Sequence, residues 1–484
     1  MDGEGKRFRA WDGLTGRQEI VSPETVLPEG DLVFFLLDAI PQLDLTAFYG
    51  YYSRDGRGQP PFNVEMMTTL LVYAYAVGVF SSRKIAAACE RNLAFMAIVG
   101  SERPDFRTIS DFRKHHAAAT RSLFVEVLRM AGELGMVKLG NLSTDGTKIE
   151  ANASRHKAMS YGHMLKELKR LEAEVEQLLA QAERTDAEQD AALGSRRGDE
   201  LPDELKRREE RLAKIRAAKE RLEAEARARA DERQRERDVA EAERQGAGKK
   251  RRGKAPAPID ATPEDKAQTN FTDPEAHIMK RSNKGFDYCY NCQAVVDSDC
   301  QIIVAAETTA DANDKQQAVP MAQAAVSSLA AAGIERPLDE KGQPRSIPNT
   351  ADSGYYSEEN VRGAEAAGLD PYFAVGRERH HASAANPLTA SSNAEGNSAS
   401  AGEATDVAPE SPKEAMAKKL RTATGRALYA ARKHIVEPVF GQMKRARGFR
   451  KFHLRGLALV SAEWQLVCLT HNLLKIWRRV SSVC

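Results

Sequence analysis

The chain has 484 residues, with 71 lysines and arginines against 69 aspartates and glutamates, for a net charge of +2. The length exceeds one ordinary core and points to about two to four domains. The balanced charge does not by itself announce a nucleic-acid partner, so local clusters must carry that argument. Six cysteines are too few for a disulfide framework, and a reducing, cytoplasmic setting is expected. No apolar run reaches the roughly 18 residues of a membrane span, and the first residues show no apolar leader.

Residues 1–138 read as an all-helical domain. Between Asn63 and Gly100, Val64, Met67, Leu70, Leu71 and Ala74 fit one helical face. A second helix starts at Ser81 or Ser82, both good N-caps, and reaches Arg91. Thr108 with Asp111 resembles a capping box, and another helix covers residues 117–134. If this module is a helix-turn-helix reader of DNA, Arg107, Arg113 and Lys114, or Arg83 and Lys84, are the candidate contacts. A purely structural bundle has the same periodicity.

Residues 139–156 contain a strand that carries Asp145. In residues 157–245, Met164, Leu168, Leu171, Val175 and Leu178 alternate spacings of four and three, a coiled-coil seam. After an interruption at 194–202, Leu205, Leu212, Ile215, Leu222 and Ala226 resume it, with Arg208 and Lys219 at two of its positions. The pattern predicts an antiparallel hairpin with arms of about 30 residues, about 45 Å each. Residues 246–269, with Lys249-Lys-Arg-Arg252, are a flexible basic linker.

In residues 270–380, strands at 288–296 and 301–308 form a hairpin around Asp297-Ser-Asp299. A helix at 315–332, a strand at 345–351 leading into Asp352, a Ser357-capped helix at 358–367 and a strand at 371–375 follow. Residues 381–414 are a low-complexity loop, and 415–484 are helical. Cys289 and Cys292 are a poor zinc pair, because residues three apart on a strand face opposite ways and no second close pair exists.

Three acids stand out by context: Asp145 in Ser-Thr-Asp-Gly-Thr-Lys, Asp352 in Ala-Asp-Ser-Gly-Tyr-Tyr, and Glu437 in Val-Glu-Pro-Val-Phe-Gly-Gln-Met-Lys. Each alone has a bland reading, as a turn residue, a loop start or a solvated helix face. Together they can hold two Mg²⁺ ions (Mn²⁺ as substitute) for phosphoryl transfer, provided one acid bridges. Asp145, on a central strand, is the natural bridge. Lys433 and Lys444 share a helical face with Glu437, four residues before and seven after it. Pro438 removes a backbone donor, so the helix is expected to kink or restart there. The run from Lys444 through Arg445, Arg447, Arg450 and Lys451 to Arg455 fits phosphate binding, with Phe449 and Phe452 as anchors.

These motifs, with Gly448-Phe-Arg-Lys-Phe-His-Leu-Arg-Gly456 and Thr470-His-Asn-Leu-Leu-Lys475, resemble a DDE transposase of bacterial insertion sequences over roughly residues 30–156 and 270–480. The superfamily signature is Tyr, two residues, Arg, three residues, Glu, six residues, Lys. Tyr429, Arg432, Glu437 and Lys444 match it, except that four residues separate Arg432 and Glu437. Either Arg432 is displaced or Lys433 fills its role.

The resemblance implies an α/β fold: an RNase H-like, retroviral-integrase-like mixed sheet flanked by helices, with the helical N-terminal domain and the coiled-coil hairpin as additions. It implies Asp145, Asp352 and Glu437 as catalytic metal ligands, and Tyr429, Arg432, Lys433, Lys444, Arg445, Arg447, Arg113 and Lys114 toward DNA. The implied reaction is Mg²⁺-dependent hydrolysis that frees a 3′-hydroxyl at the element end, followed by its attack on target DNA. Double-stranded DNA, as terminal inverted repeats and target, is the implied partner of a homodimer or higher multimer in the bacterial cytoplasm at the nucleoid. A catalytically inactive DNA-binding or architectural descendant and a cellular nuclease of the same fold are the competing readings.

Overall fold

The computed structural model describes residues 22–52, 60–193, 203–246, 257–281, 285–376 and 411–482. The hairpin tip, residues 247–256 of the basic linker and most of the low-complexity loop therefore lie outside the described residues. The chain divides into a unit of Met1–His116 with Ile476–Cys484 and a unit of Ala117–Lys475. Among the described residues no helix is long and apolar enough to cross a membrane.

The first unit is built from α1 (Pro23–Val26), α2 (Leu32–Ala39), α3 (Thr46–Tyr49), α4 (Val64–Ala76), α5 (Ser82–Arg91), α6 (Leu93–Val99) and α7 (Phe106–His115). Asn63 caps α4 by accepting from Met66 N at 2.9 Å. The capping box expected at Thr108 does not form. Asp105 is the cap of α7, and Thr108 N donates to its carboxylate at 2.7 Å. Thr108 is thus already the third helical residue, where its own N–H is one of the orphan donors a cap must satisfy.

The second unit begins with α8 (Ala117–Glu133) and centres on a mixed sheet. β1 (Leu142–Glu150) pairs antiparallel with β5 (Phe286–Asp297) along its whole length. β4 (His277–Lys280) and β6 (Ile303–Thr309) both pair antiparallel with β5. On the other side β1 runs parallel to β7 (Ile347–Ala351), which runs parallel to β8 (Leu369–Phe373). This is the RNase H-like mixed sheet the sequence led us to expect. Every residue of β5 after Phe286 is buried, so both sheet faces are covered. α11 (Ala318–Ala331) packs on β5 and β6, and α12 (Glu358–Ala366) on α11 and β8. α13 (Pro412–Arg421) leads into α14 (Ala423–Gly441), which lies on β1, β5 and β7. In α15 (Leu457–Ser481), Asn472 bonds both Ile303 N and Ile303 O at 2.8 Å, and Trp464 Nε1 donates to Gln293 O at 3.0 Å.

The hairpin is inserted after β1 and the short β2 (Ala158–Ser160), which pairs with β3 (Gln268–Asn270). Its arms are α9 (Tyr161–Leu193) and α10 (Asp203–Gly246). At 33 and 44 residues they are longer than expected, the second reaching about 66 Å at 1.5 Å per residue. Tyr161, Met164, Leu168 and Leu171 pack with Leu212, Ile215, Ala218 and Leu222. Ala218 rather than Lys219 occupies the seam. Lys219 turns aside to pair with Glu223 at 3.3 Å, since a small side chain admits the close approach that an ammonium resists.

The helix expected to kink or restart at Pro438 does not restart there: α14 runs through it. The proline leaves the carbonyl four residues earlier without its helical donor. That carbonyl belongs to His434, and Gln301 Nε2 donates to it at 2.9 Å. A side chain from the β5–β6 turn thus supplies the missing bond. One turn later the helix widens into a π-turn over Gln442–Ala446.

Candidate active site

β1 and β7 stay paired only at Leu142↔Asn349 and Ser143↔Thr350. Thr144 Oγ1 donates to Asn349 Oδ1 at 2.9 Å, and the Ser143 and Thr350 hydroxyls lie 2.8 Å apart, pinning the strands where they still meet. Their pairing ends there, and the crevice at such a change of strand direction is a common place for ligands in α/β sheets. Asp145 lies at its opening on β1, and Asp352 directly follows β7. The Asp352 carboxylate accepts from Gly354 N at 2.8 Å, which fixes the Asp-Ser-Gly turn.

Asp145 accepts from its neighbour Gly146 N at 2.8 Å and from Arg432 Nη1 at 3.1 Å. Burial pushes its carboxyl up to about 6 despite the attraction of Arg432, and Asp352 and Asp314 nearby add to the rise. Arg432 Nη2 also lies 3.9 Å from Glu437 Oε1. Glu437, on α14, has a side chain 54 % exposed, whereas those of Arg432 and Asp145 are 12 % and 19 % exposed. Three segments distant in sequence therefore meet at one crevice. Arg432 joins two of them, and charge interaction couples Asp352 to both Asp145 and Arg432.

The helix face separates Arg432 from Lys433. Ile435, Val436 and Val439 are buried, and Arg432 reaches over this packed side toward β1. Lys433 is exposed and lines a separate cavity with Leu420, Tyr429 and Ala374. The Tyr429 ring lies 5.9 Å from the Arg432 guanidinium carbon. Lys444 donates to Thr147 Oγ1 and, at 3.0 Å, to Lys148 O, and burial lowers its pKa. With Gly146, Thr147, Lys148, Arg281, Arg445 and Arg450 it lines a cavity of about 450 Å³. The two residues that follow Asp145 are part of that wall, so the acids and the basic cavity share a strand.

Two arginines expected at a DNA surface are instead buried. Arg447 donates to Val467 O at 3.1 Å and to Thr470 Oγ1 at 2.6 Å. It follows directly on the π-turn and faces inward against α15. Arg113 donates to Tyr75 OH at 2.7 Å and Phe80 O at 3.0 Å, holding α7 against α4 and the start of α5. Lys114 is exposed and pairs with Asp111 at 3.2 Å. Arg83 and Arg107 remain at the surface, flanking the Phe106 ring at 4.9 and 5.6 Å. Phe449 and Phe452 are the anchors expected, both buried with rings 5.4 Å apart.

Sequence reasoning missed Asp314. Its Oδ1 accepts from Asn291 Nδ2 at 2.7 Å and Gln293 Nε2 at 2.8 Å, and lies 3.5 Å from Lys148 Nζ. A Cβ at Gly146 would come within 2.8 Å of that oxygen, so glycine follows Asp145 because Asp314 and Gln293 fill the space. The signals available were the two amide residues in the middle of β5, Asn291 and Gln293, in a strand buried along nearly its whole length. Cys289 and Cys292 are both buried free thiols, and burial raises both.

All these acids offer hard oxygen donors suited to Mg²⁺. Among the described residues no three potential ligands close around one point. A guanidinium between Asp145 and Glu437 nevertheless marks that gap as a place for positive charge, so the donor set fits a divalent cation.

A helical N-terminal unit and an RNase H-like sheet with acids at its crevice define a class of α/β protein. Two family models narrow it: "Transposase domain (DUF772)" matches residues 21–115, and "Transposase DDE domain" matches residues 396–477. Over these two segments the chain resembles the DDE transposases of the insertion-sequence type. Comparison with curated proteins and with solved structures gave no match. A transposase acts on DNA, and this family generally uses divalent metal ions.

Proposed function

We propose that this transposase cuts DNA at the ends of an insertion sequence and joins the freed 3′-hydroxyl to target DNA, with Asp145, Asp352 and Glu437 as the ion-binding acids. The observation that carries the reading is the meeting of Asp145 with Asp352 and, through Arg432, with Glu437 at the crevice where β1 and β7 part. Two Mg²⁺ ions held there would lower the charge barrier at the phosphate and stabilise the attacking and leaving oxygens. Asp145, central on β1, would be the acid common to both ions. Burial raises its carboxyl to about 6, so a proton would compete with an ion there below that pH.

Lys444, Arg445 and Arg450 would hold a phosphate of the element end beside the acids, with Tyr429 and Arg432 at the helix edge and Lys433 further along the DNA. Arg83, Lys84, Arg107 and Lys114 of the helical unit are the remaining candidates for duplex contact. Two element ends must be handled together, so the active form is a dimer or higher multimer on DNA at the nucleoid. The test is Mg²⁺-dependent cleavage of an end-bearing duplex by wild type and Glu437→Gln. The variant is expected to lose cleavage, and equal cleavage by both proteins would refute the assignment.

A further inference from the structure

The Arg432 side chain stands where two proposed ion ligands face each other. It bonds Asp145 Oδ2 at 3.1 Å and approaches Glu437 Oε1 to 3.9 Å. One acid sits on β1 and the other on α14, so the contact ties strand to helix. The arginine is nearly enclosed, yet its Nε is buried and has no hydrogen-bond partner among the described residues. That donor remains available to an acceptor brought by a ligand.

We propose that Arg432 is an exchangeable cation of the reaction centre. In the ion-free protein it keeps Asp145 and Glu437 close despite their mutual repulsion. When DNA and divalent ions enter, it leaves the carboxylates and takes up a DNA phosphate. This rests on the reading of Asp145 and Glu437 as ion-binding acids.

The chemistry supports the exchange from both ends. A guanidinium and a divalent ion cannot occupy the same carboxylate oxygens at short range, so they compete. A phosphate can accept from Nε and one Nη of the same guanidinium, meeting the donor that is unmet beside Asp145. By linkage, a DNA phosphate that draws Arg432 away raises ion affinity, and bound ions raise DNA affinity by the same factor. Ions would then load chiefly on the DNA complex, which restrains hydrolysis by protein not seated on DNA. Arg432 acts here as a positioning residue, through the two acids it holds.

The experiment measures Mn²⁺ binding to the full chain by the loss of the free-ion electron paramagnetic signal. Wild type, Arg432→Gln and Asp145→Asn are each measured with and without a saturating short duplex. In wild type the duplex is expected to tighten Mn²⁺ binding about tenfold. Without DNA, Arg432→Gln is expected to bind Mn²⁺ about tenfold more tightly than wild type and to gain little from the duplex. If Arg432→Gln fails to fold, as circular dichroism would show, the wild-type comparison decides alone. The proposal is overturned if the duplex leaves wild-type Mn²⁺ affinity unchanged, or if folded Arg432→Gln binds no more tightly than wild type. Asp145→Asn separates the two levels. Loss of binding there with no effect of Arg432 sinks the exchange alone, whereas unchanged binding in Asp145→Asn sinks the ion-site reading beneath it.

Discussion

Arg445 and Arg447 lie two residues apart in one basic run, and the fold leaves the first on a cavity wall and buries the second. Replacing Arg447 by alanine removes bonds from Nη1 and Nη2 to Val467 O and from Nη1 to Thr470 Oγ1. Three charge-assisted bonds at about 1.5 kcal/mol each contribute roughly 4–5 kcal/mol. Burial lowers the Arg447 pKa from 12.5 to about 10. At about 1.36 kcal/mol per pH unit, removing that strained charge returns roughly 3 kcal/mol. The cavity left against α15 costs roughly 2 kcal/mol more. Arg447→Ala should therefore destabilise the protein by about 3–4 kcal/mol, read from urea unfolding. Its non-specific duplex binding, followed by anisotropy across a salt series, should keep the wild-type slope. Arg445→Ala should do the reverse, changing stability by less than about 0.5 kcal/mol and lowering the salt slope by about one. If Arg447→Ala instead lowers the salt slope at unchanged stability, the buried placement of this arginine is wrong.

Asp145 should impose a pH dependence on metal-free stability. Its carboxyl is raised from 3.8 to about 6 in the fold, so the folded state favours the neutral form. Stability from this group is complete below the unfolded value and lost as pH rises through about 6, by about 3 kcal/mol. Urea unfolding in chelator between about pH 4 and about pH 7 should show that loss in wild type and not in Asp145→Asn, and parallel profiles would contradict it. In the hairpin, Ile215 is 2 % exposed. Ile215→Ala should cost roughly 3 kcal/mol locally and speed proteolysis within residues 203–246 while leaving Mn²⁺ binding intact. A protease pattern identical to wild type would show that the seam does not hold the arms together.

Much of the second unit is written in local pattern. Asp145, Asp352 and Glu437 each sit in a motif that names a strand, a strand end and a helix, and the heptads at Met164, Leu168 and Leu171 announce the hairpin. The apolar run of β5 and the Ser357 cap need only near neighbours to be understood. Side-chain direction was less legible. Arg432 and Lys433 are adjacent and chemically alike, and only the packing of α14 on β1 aims one at Asp145 and the other at solvent. Arg445 and Arg447 were likewise separated by the π-turn, and a single inserted turn residue shifts every later side chain around the helix axis.

The sequence by itself determined which elements form, because periodicity, caps and turn chemistry act within a few residues. It also carried the family resemblance, because the acids stand in recognisable local strings. Tertiary structure decided what those strings face. Pro438 stays within a helix because Gln301, more than a hundred residues earlier in the chain, serves the orphaned His434 carbonyl. Asp314 joins the crevice only because β5 and β1 pair at Gln293 and Gly146. Arg432 bridges two acids that lie 292 residues apart in sequence, at positions 145 and 437. Such contacts depend on strand register and helix rotation, which are set by burial across the whole sheet rather than by any one segment.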